Sequence, residues 1–189
     1  MLVVAGPPGS GKTMFFPASA LGIDAFNIDD RCAQLVGSYR AIPHAVRNAV
    51  ARECERFVLQ HLHDGRSFAV ETTLRTLAAA RQAELAKKHG FRTELRFLAT
   101  DSSDLNVKRV RQRAHSGGHA ASESEIRATY LASLANLADA VRAFLRCKIY
   151  DTSEPWTRPR LVATVSGGRY ELAPGAPAWV VRALATGER

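Results

Sequence analysis

The sequence predicts an α/β fold, a five-stranded and mostly parallel sheet flanked by helices, and three observations predict it. Short apolar runs alternate with helical patterns from residue 1 to about 150, as in a parallel sheet wrapped by its crossover helices. The first run, Leu2-Val3-Val4-Ala5, leads directly into Gly6-Pro7-Pro8-Gly9-Ser10-Gly11-Lys12-Thr13, an unbroken G-x-x-x-x-G-K-T. Acidic residues then follow the next two strands, Asp29 and Glu71. Carboxyl ends of strands are where open parallel sheets bind ligands.

Taken in order, residues 2–5 form the first strand, followed by the glycine-rich loop and a short helix through about Ala20. The second strand is 24–28 and ends at Asp29-Asp30. Pro43 opens a long helix whose face Val46, Val50, Cys54, Phe57 and His61 recurs every three or four residues, with His61 at the edge of that packed face. Residues 67–70 are the third strand. A helix over about 75–89 stops at Gly90, a good C-cap residue. Residues 91–99 are the fourth strand and about 102–114 the next helix, interrupted by Ser116-Gly117-Gly118-His119. Ser122 and Glu125 make an S-x-x-E capping box for one long helix with Ile126, Tyr130, Leu134, Leu137 and Val141 on a face. Residues 147–150 are the fifth strand. A small C-terminal extension of about 153–189 then carries a hairpin, 161–165 with 169–172 across Gly167-Gly168, and a closing helix over 176–185.

Strand, loop, Lys-Thr pair and helix in this order make the motif a phosphate-binding loop, so the fold expected is that of a P-loop NTPase. Gly6, Gly9, Ser10 and Gly11 turn the backbone so that successive N–H groups can cradle nucleotide phosphates at a helix N-terminus. Lys12 would reach the β- and γ-phosphates, and the Thr13 hydroxyl would ligate the Mg2+ bridging them. ATP and Mg2+ are therefore the cofactors expected.

The 189 residues, 46% hydrophobic, suit a single domain with one substantial core. The loop begins too early to leave room for a signal peptide, and no later apolar run approaches membrane-spanning length, so a cytoplasmic protein is expected. Cys32, Cys54 and Cys147 form no C-x-x-C pair and read as reduced, structural thiols. The formal charge of +8 and pI near 9.9 suit a polyanionic partner. No aromatic residues interleave with the basic ones as a single-strand binding platform requires, so a nucleic-acid partner is not expected. No N-K-x-D sequence is present, so a guanine-reading regulatory GTPase is not expected.

Asp29 and Glu71 should both open beside Lys12. A carboxylate there can accept the proton of an attacking substrate hydroxyl or position Mg2+ through water. Asp30 is expected to point the other way and cap the following helix. Phosphoryl transfer also needs cations around the γ-phosphate. Lys108, Arg109, Arg111 and Arg113 precede the Gly-Gly break and Arg127 follows it, which predicts an arginine-bearing lid over about 108–127.

These residues together resemble the zeta toxin family of small P-loop kinases. The resemblance covers about residues 1–152. It rests on Gly6 to Thr13, on Asn27-Ile28-Asp29, on Ser67-Phe68-Ala69-Val70-Glu71-Thr72-Thr73-Leu74, and on Arg109-Val110-Arg111-Gln112-Arg113. Downstream it includes Gly117-Gly118-His119, Glu123-Ser124-Glu125-Ile126-Arg127 and Ser133-Leu134-Ala135-Asn136-Leu137. It implies ATP- and Mg2+-dependent phosphorylation of a small-molecule hydroxyl, with UDP-N-acetylglucosamine as the acceptor of the best-known members. By position Asp29 is then the general base, Glu71 and Thr73 lie on the substrate side, and Arg113 is the first of two phosphate-stabilising arginines. His119 stands near the place of the second, with Arg127 as its substitute. Toxins of the best-known type are held inactive by a helical antitoxin, which is the protein partner the resemblance implies. A nucleic-acid end kinase or nucleic-acid-stimulated ATPase is the alternative.

Overall fold

The computed structural model describes residues 1–17, 20–38, 42–115, 121–154 and 157–185, the side chains of residues 114 and 115 excepted. Seven strands form one sheet: β1 (Leu2–Ala5), β2 (Asp24–Asn27), β3 (Phe68–Thr72), β4 (Glu94–Ala99), β5 (Arg146–Asp151), β6 (Arg160–Ser166) and β7 (Arg169–Leu172). Their order is β2-β3-β1-β4-β5-β6-β7. The first five run parallel and the last two antiparallel. The expected five-stranded sheet is thus extended by two strands. The hairpin is not a separate appendage, because β6 pairs with β5 along its whole length and buries Val162, Ala163 and Val165 in the common core.

The helices are α1 (Lys12–Phe15), α2 (Ile28–Val36), α3 (His44–His63), α4 (Ala78–Lys88), α5 (Ser103–His115), α6 (Glu123–Ala135), α7 (Leu137–Ala143) and α8 (Ala178–Ala185). Side chains alternate across strands, so Val3, Val70, Leu95 and Cys147 share one face. That face is covered by Cys54 and Val58 of α3, Ala83 of α4, Leu137 and Val141 of α7, and Trp179 and Val180 of α8. Helices α5 and α6 pack on each other through a smaller cluster, Val107, Val110 and Ile126.

Three helical expectations are corrected. Helix α1 stops at Phe15 rather than near Ala20. Phe16 has φ −133° and ψ 61° and is followed by Pro17, whose ring disfavours helical backbone in the preceding residue. Helix α2 was not expected. Asn27 starts it by accepting from the Asp29 and Asp30 N–H groups at 3.0 and 3.2 Å, so the N-cap is Asn27 and not Asp30. The long helix after the capping box is two, divided at Asn136, whose amide is drawn to the Leu74 carbonyl. The Ser122/Glu125 capping box itself is present. All three cysteines are free and buried. His61 is structural: it is buried between Phe57 and Phe68, with Nε2 3.0 Å from Asp24 Oδ2 and Nδ1 2.8 Å from the Phe57 carbonyl.

Candidate active site

The glycine-rich loop sits at the carboxyl end of β1 and is held from three sides. Gly6 N–H donates to the Thr72 carbonyl at 3.3 Å. Thr152 Oγ1, just past β5, donates to the Ser10 carbonyl at 3.0 Å. Buried Asn106 of α5 donates through its amide to the Pro8 carbonyl and engages Thr100 through its Oδ1. Asn106 carries no sequence signal; it reads as one polar residue in a polar helix. The turn demands glycine at two tight places. A Cβ on Gly6, at φ +145°, would lie 2.0 Å from the Leu98 carbonyl oxygen, and one on Gly9, at φ +79°, 2.7 Å from that of Asn106. Gly6 and Ser10 are buried, so they shape the loop instead of lining the cleft.

Lys12 opens α1 and is buried, its Nζ donating to the Gly6 and Pro7 carbonyls at 2.8 and 3.3 Å. Burial pulls its pKa down; Glu71 and Asp29 oppose that shift and Arg113 adds to it. Thr13 Oγ1 donates to Glu71 Oε1 at 3.0 Å. Burial pushes the Glu71 carboxyl above its ordinary range, against the pull of Lys12 and the Thr13 hydrogen bond, with Asp30 and Asp29 pushing the same way as burial.

A cleft of about 320 Å3 is lined by Gly9, Gly11, Lys12, Thr13, Asn27, Asp29, Asp30, Glu71 and Arg113. Asp30 therefore faces the same cleft as Asp29. A second cleft, also about 320 Å3, shares Pro8, Lys12, Asp29 and Glu71 with the first and extends to Arg47, Asn48, Thr73, Arg75, Thr76, Glu125 and Thr129. Its two arginines were not singled out from the sequence. Arg75 directly follows the Glu71-to-Leu74 segment, which is a usable signal; Arg47 is brought in only by the packing of α3.

The expected cation cluster is divided. Arg113 alone lines the loop cleft. Arg109 donates to the Thr152 and Ser153 carbonyls at 2.7 and 3.3 Å. Lys108, Arg111 and Arg127 line a different hollow between α5 and α6. There Arg127 pairs with Asp104 at 2.6 Å and Glu123 at 2.7 Å, and Arg111 with Glu123 at 2.6 Å. The structure therefore does not bring Arg127 to Lys12. His119 and the Ser116-to-Gly118 break lie outside the described residues.

Among the described residues no group of three His, Cys, Asp or Glu side chains is placed to hold a metal ion by itself. Mg2+ is commonly held by one or two protein oxygens together with substrate phosphates. The Thr13 hydroxyl and the Glu71 carboxylate fit that role.

A family model described as AAA domain matches residues 1–137. The chain belongs to that AAA domain family. No curated protein sequence matches it. Among solved structures this AAA domain is similar to a chain of the PezAT chromosomal toxin-antitoxin system of the human pathogen Streptococcus pneumoniae. The TM-score is 0.58 at 19% identity, over 80% of this chain and 68% of that one. It is also similar to AvrRxo1-ORF1:-ORF2 with ATP, TM-score 0.69 at 18% identity, and to the same complex with sulphate ions, TM-score 0.70 at 18% identity. In both cases the match covers 100% of this chain but 64% of the other. The AAA domain thus has the α/β P-loop fold expected, shares it with these chains, and spans about two thirds of their length. No helix among the described residues is long and apolar enough to cross a membrane.

Proposed function

We propose that the protein is an ATP- and Mg2+-dependent kinase that transfers the γ-phosphate to a hydroxyl of a small metabolite. The observation carrying this reading is the pair of adjoining clefts. One holds the phosphate loop with Arg113, the other holds Arg47, Arg75, Thr73 and Thr76, and Lys12, Asp29 and Glu71 line both. A phosphate donor in the first and a hydroxyl acceptor in the second would meet at those shared residues.

In this reading the loop N–H groups and Lys12 bind the donor phosphates, and Lys12 exchanges its loop carbonyls for phosphate oxygens. Asp29, held by the Asn27 cap in the first turn of α2, accepts the proton of the acceptor hydroxyl. Arg113 meets charge on the transferring group. Mg2+, when bound, neutralises phosphate charge; Thr13 and Glu71 are the residues that would hold it. Thr73 and Glu71 lie on the acceptor side. The zeta toxin resemblance favours a nucleotide sugar such as UDP-N-acetylglucosamine as acceptor, an antitoxin-type protein as partner and the cytoplasm as the compartment. That PezAT is a toxin-antitoxin system supports the partner.

The test is mass spectrometry of purified protein with ATP and Mg2+ over a metabolite panel that includes UDP-N-acetylglucosamine, beside an Asp29→Asn control. One added phosphate, absent with the control, is the expected result. Phosphate on another metabolite keeps the kinase and rejects the nucleotide sugar, whereas no phosphorylated product rejects the kinase reading.

A further inference from the structure

Among the described residues strand β7 is the last strand of the sheet, and all four of its residues are exposed, including Tyr170 at 47% and Leu172 at 40%. An open strand edge is a row of unpaired N–H and C=O groups that invites another strand. Which groups point outward follows from the ladder to β6. Residues pair as Ser166 with Arg169, Val165 with Tyr170, Thr164 with Glu171 and Ala163 with Leu172, and the Ala173 N–H donates inward to the Val162 carbonyl at 2.9 Å. Hydrogen-bonding direction alternates along an antiparallel strand. Arg169, Glu171 and Ala173 therefore bond to β6, while Tyr170 and Leu172 present their backbone groups to the open edge.

We propose that this edge is a self-association site at which β7 pairs antiparallel with β7 of a second copy, about a two-fold axis at Tyr170. The occupant is argued from charge complementarity. A two-fold pair must match outward groups with outward groups, which leaves few registers. Centred on Glu171, the pairing sets Glu171 opposite its own copy, a like-charge contact. Centred on Leu172, it brings in Pro174, which has the outward parity but no N–H to donate. Centred on Tyr170, it pairs Tyr170 with Tyr170 through two backbone hydrogen bonds and sets Arg169 of each copy opposite Glu171 of the other. Those charges then occupy non-hydrogen-bonded pairs, where facing side chains are closest. Tyr170 and Leu172 lie on the face of buried Val165 and Ala163, so the contact also covers exposed apolar surface on the helix-bearing side.

The two-fold makes the interface isologous and closed, giving a dimer and not a fibre. Because β7 stands four strand spacings from β1, roughly 19 Å, the loop cleft remains open in the dimer.

Analytical ultracentrifugation over a micromolar concentration series tests the proposal on the 189-residue chain. The weight-average mass is expected to climb from 20.6 kDa towards twice that value. Arg169→Glu and Glu171→Arg should each weaken association about tenfold or more, since each sets like charges opposite at two symmetric places. An equimolar mixture of those two variants should recover the association as a heterodimer, because every facing pair is again opposite in sign. Both positions are exposed, and unchanged thermal midpoints verify that the variants fold. A monomeric wild type at all concentrations overturns the proposal, and so does a dimer that tolerates both single reversals or a mixture that stays monomeric.

Discussion

Asn136 Nδ2 donates to the Leu74 carbonyl at 3.0 Å, across 62 positions of sequence. Leu74 is fully buried and is the non-glycine residue with positive φ, +57°, among those described. An L side chain in that region is unfavourable and persists only when its surroundings over-determine it. Here they do: the Leu74 N–H donates to Thr72 Oγ1 at 3.3 Å, and Ser133 Oγ donates to the Thr73 carbonyl at 2.5 Å. The turn these bonds hold connects Glu71, beside the phosphate loop, to Arg75 in the second cleft. The division between α6 and α7 is the local consequence.

Asn136→Ala leaves the Leu74 carbonyl without its partner and is expected to cost about 1–3 kcal/mol of stability. Chemical denaturation measures that loss. If the turn also positions the acceptor cleft, KM for the acceptor rises more than KM for ATP.

Gly6→Ala has no room, because its methyl would enter the Leu98 carbonyl oxygen at 2.0 Å. The loop must move off β4 to admit it, so nucleotide binding is expected to be lost together with several degrees of thermal midpoint. Calorimetric titration with ATP beside a melting curve reads both. Unchanged ATP affinity would mean that the loop is not the nucleotide site.

Arginine substitutions separate the loop cleft, where Arg113 of α5 lies, from the hollow between α5 and α6 that Arg127 of α6 lines. Arg113→Ala is expected to lower kcat more than it weakens ATP binding, because charge on the transferring group is greatest in the transition state. Arg127→Ala breaks exposed ion pairs to Asp104 and Glu123, which contribute little to stability, and Arg127 does not line the loop cleft, so kcat should stay near wild type. A large kcat loss for Arg127→Ala would place its guanidinium in the reaction. If Asp29 is the general base proposed above, Asp29→Asn should preserve ATP binding and cost about 10²- to 10⁴-fold in rate; steady-state kinetics reads this, and a wild-type rate refutes the role.

Glu71 makes stability depend on pH in a defined direction. Its pKa is raised in the fold, mainly by burial, so the folded chain holds that proton more tightly than the unfolded chain does. The contribution is fully present below the ordinary glutamate pKa and is lost as pH rises through the folded value. Glu71→Gln removes the charge and should melt higher than wild type at pH 8, with the difference vanishing by pH 4. A variant that melts lower at pH 8 would mean that the Lys12 and Thr13 contacts outweigh the burial.

Much of the fold is legible in the sequence, and the boundary between what is legible and what is not has a physical character. Hydrophobic alternation located β1 to β5 and the long α3. The G-x-x-x-x-G-K-T run, the S-x-x-E cap and the Gly167-Gly168 turn are local, with partners within a few residues, so their geometry is written in consecutive sequence. Helix α2 is not legible in the sequence because its cap, Asn27, and its first residue, Ile28, also read as the end of a strand. Asp30 was misplaced because two adjacent residues point apart in a strand but lie about 100° apart on a helix, and both can then face one cleft.

By itself, then, the sequence determined the sheet's parallel core, the phosphate loop and the two carboxylates that follow or close its strands, Asp29 just past β2 and Glu71 near the end of β3, since these depend on short-range backbone chemistry and strand period. The tertiary structure decided which cations join them. Helical phase divides Lys108 and Arg111 from Arg109 and Arg113, but only the burial of Asn106 and Val110 against the loop turns the second pair inward and leaves Arg127 to Asp104 and Glu123. It also decided that the C-terminal hairpin completes the main sheet, because a strand's partner is chosen by which long-range pairing buries Val162, Ala163 and Val165, and no local pattern encodes that choice.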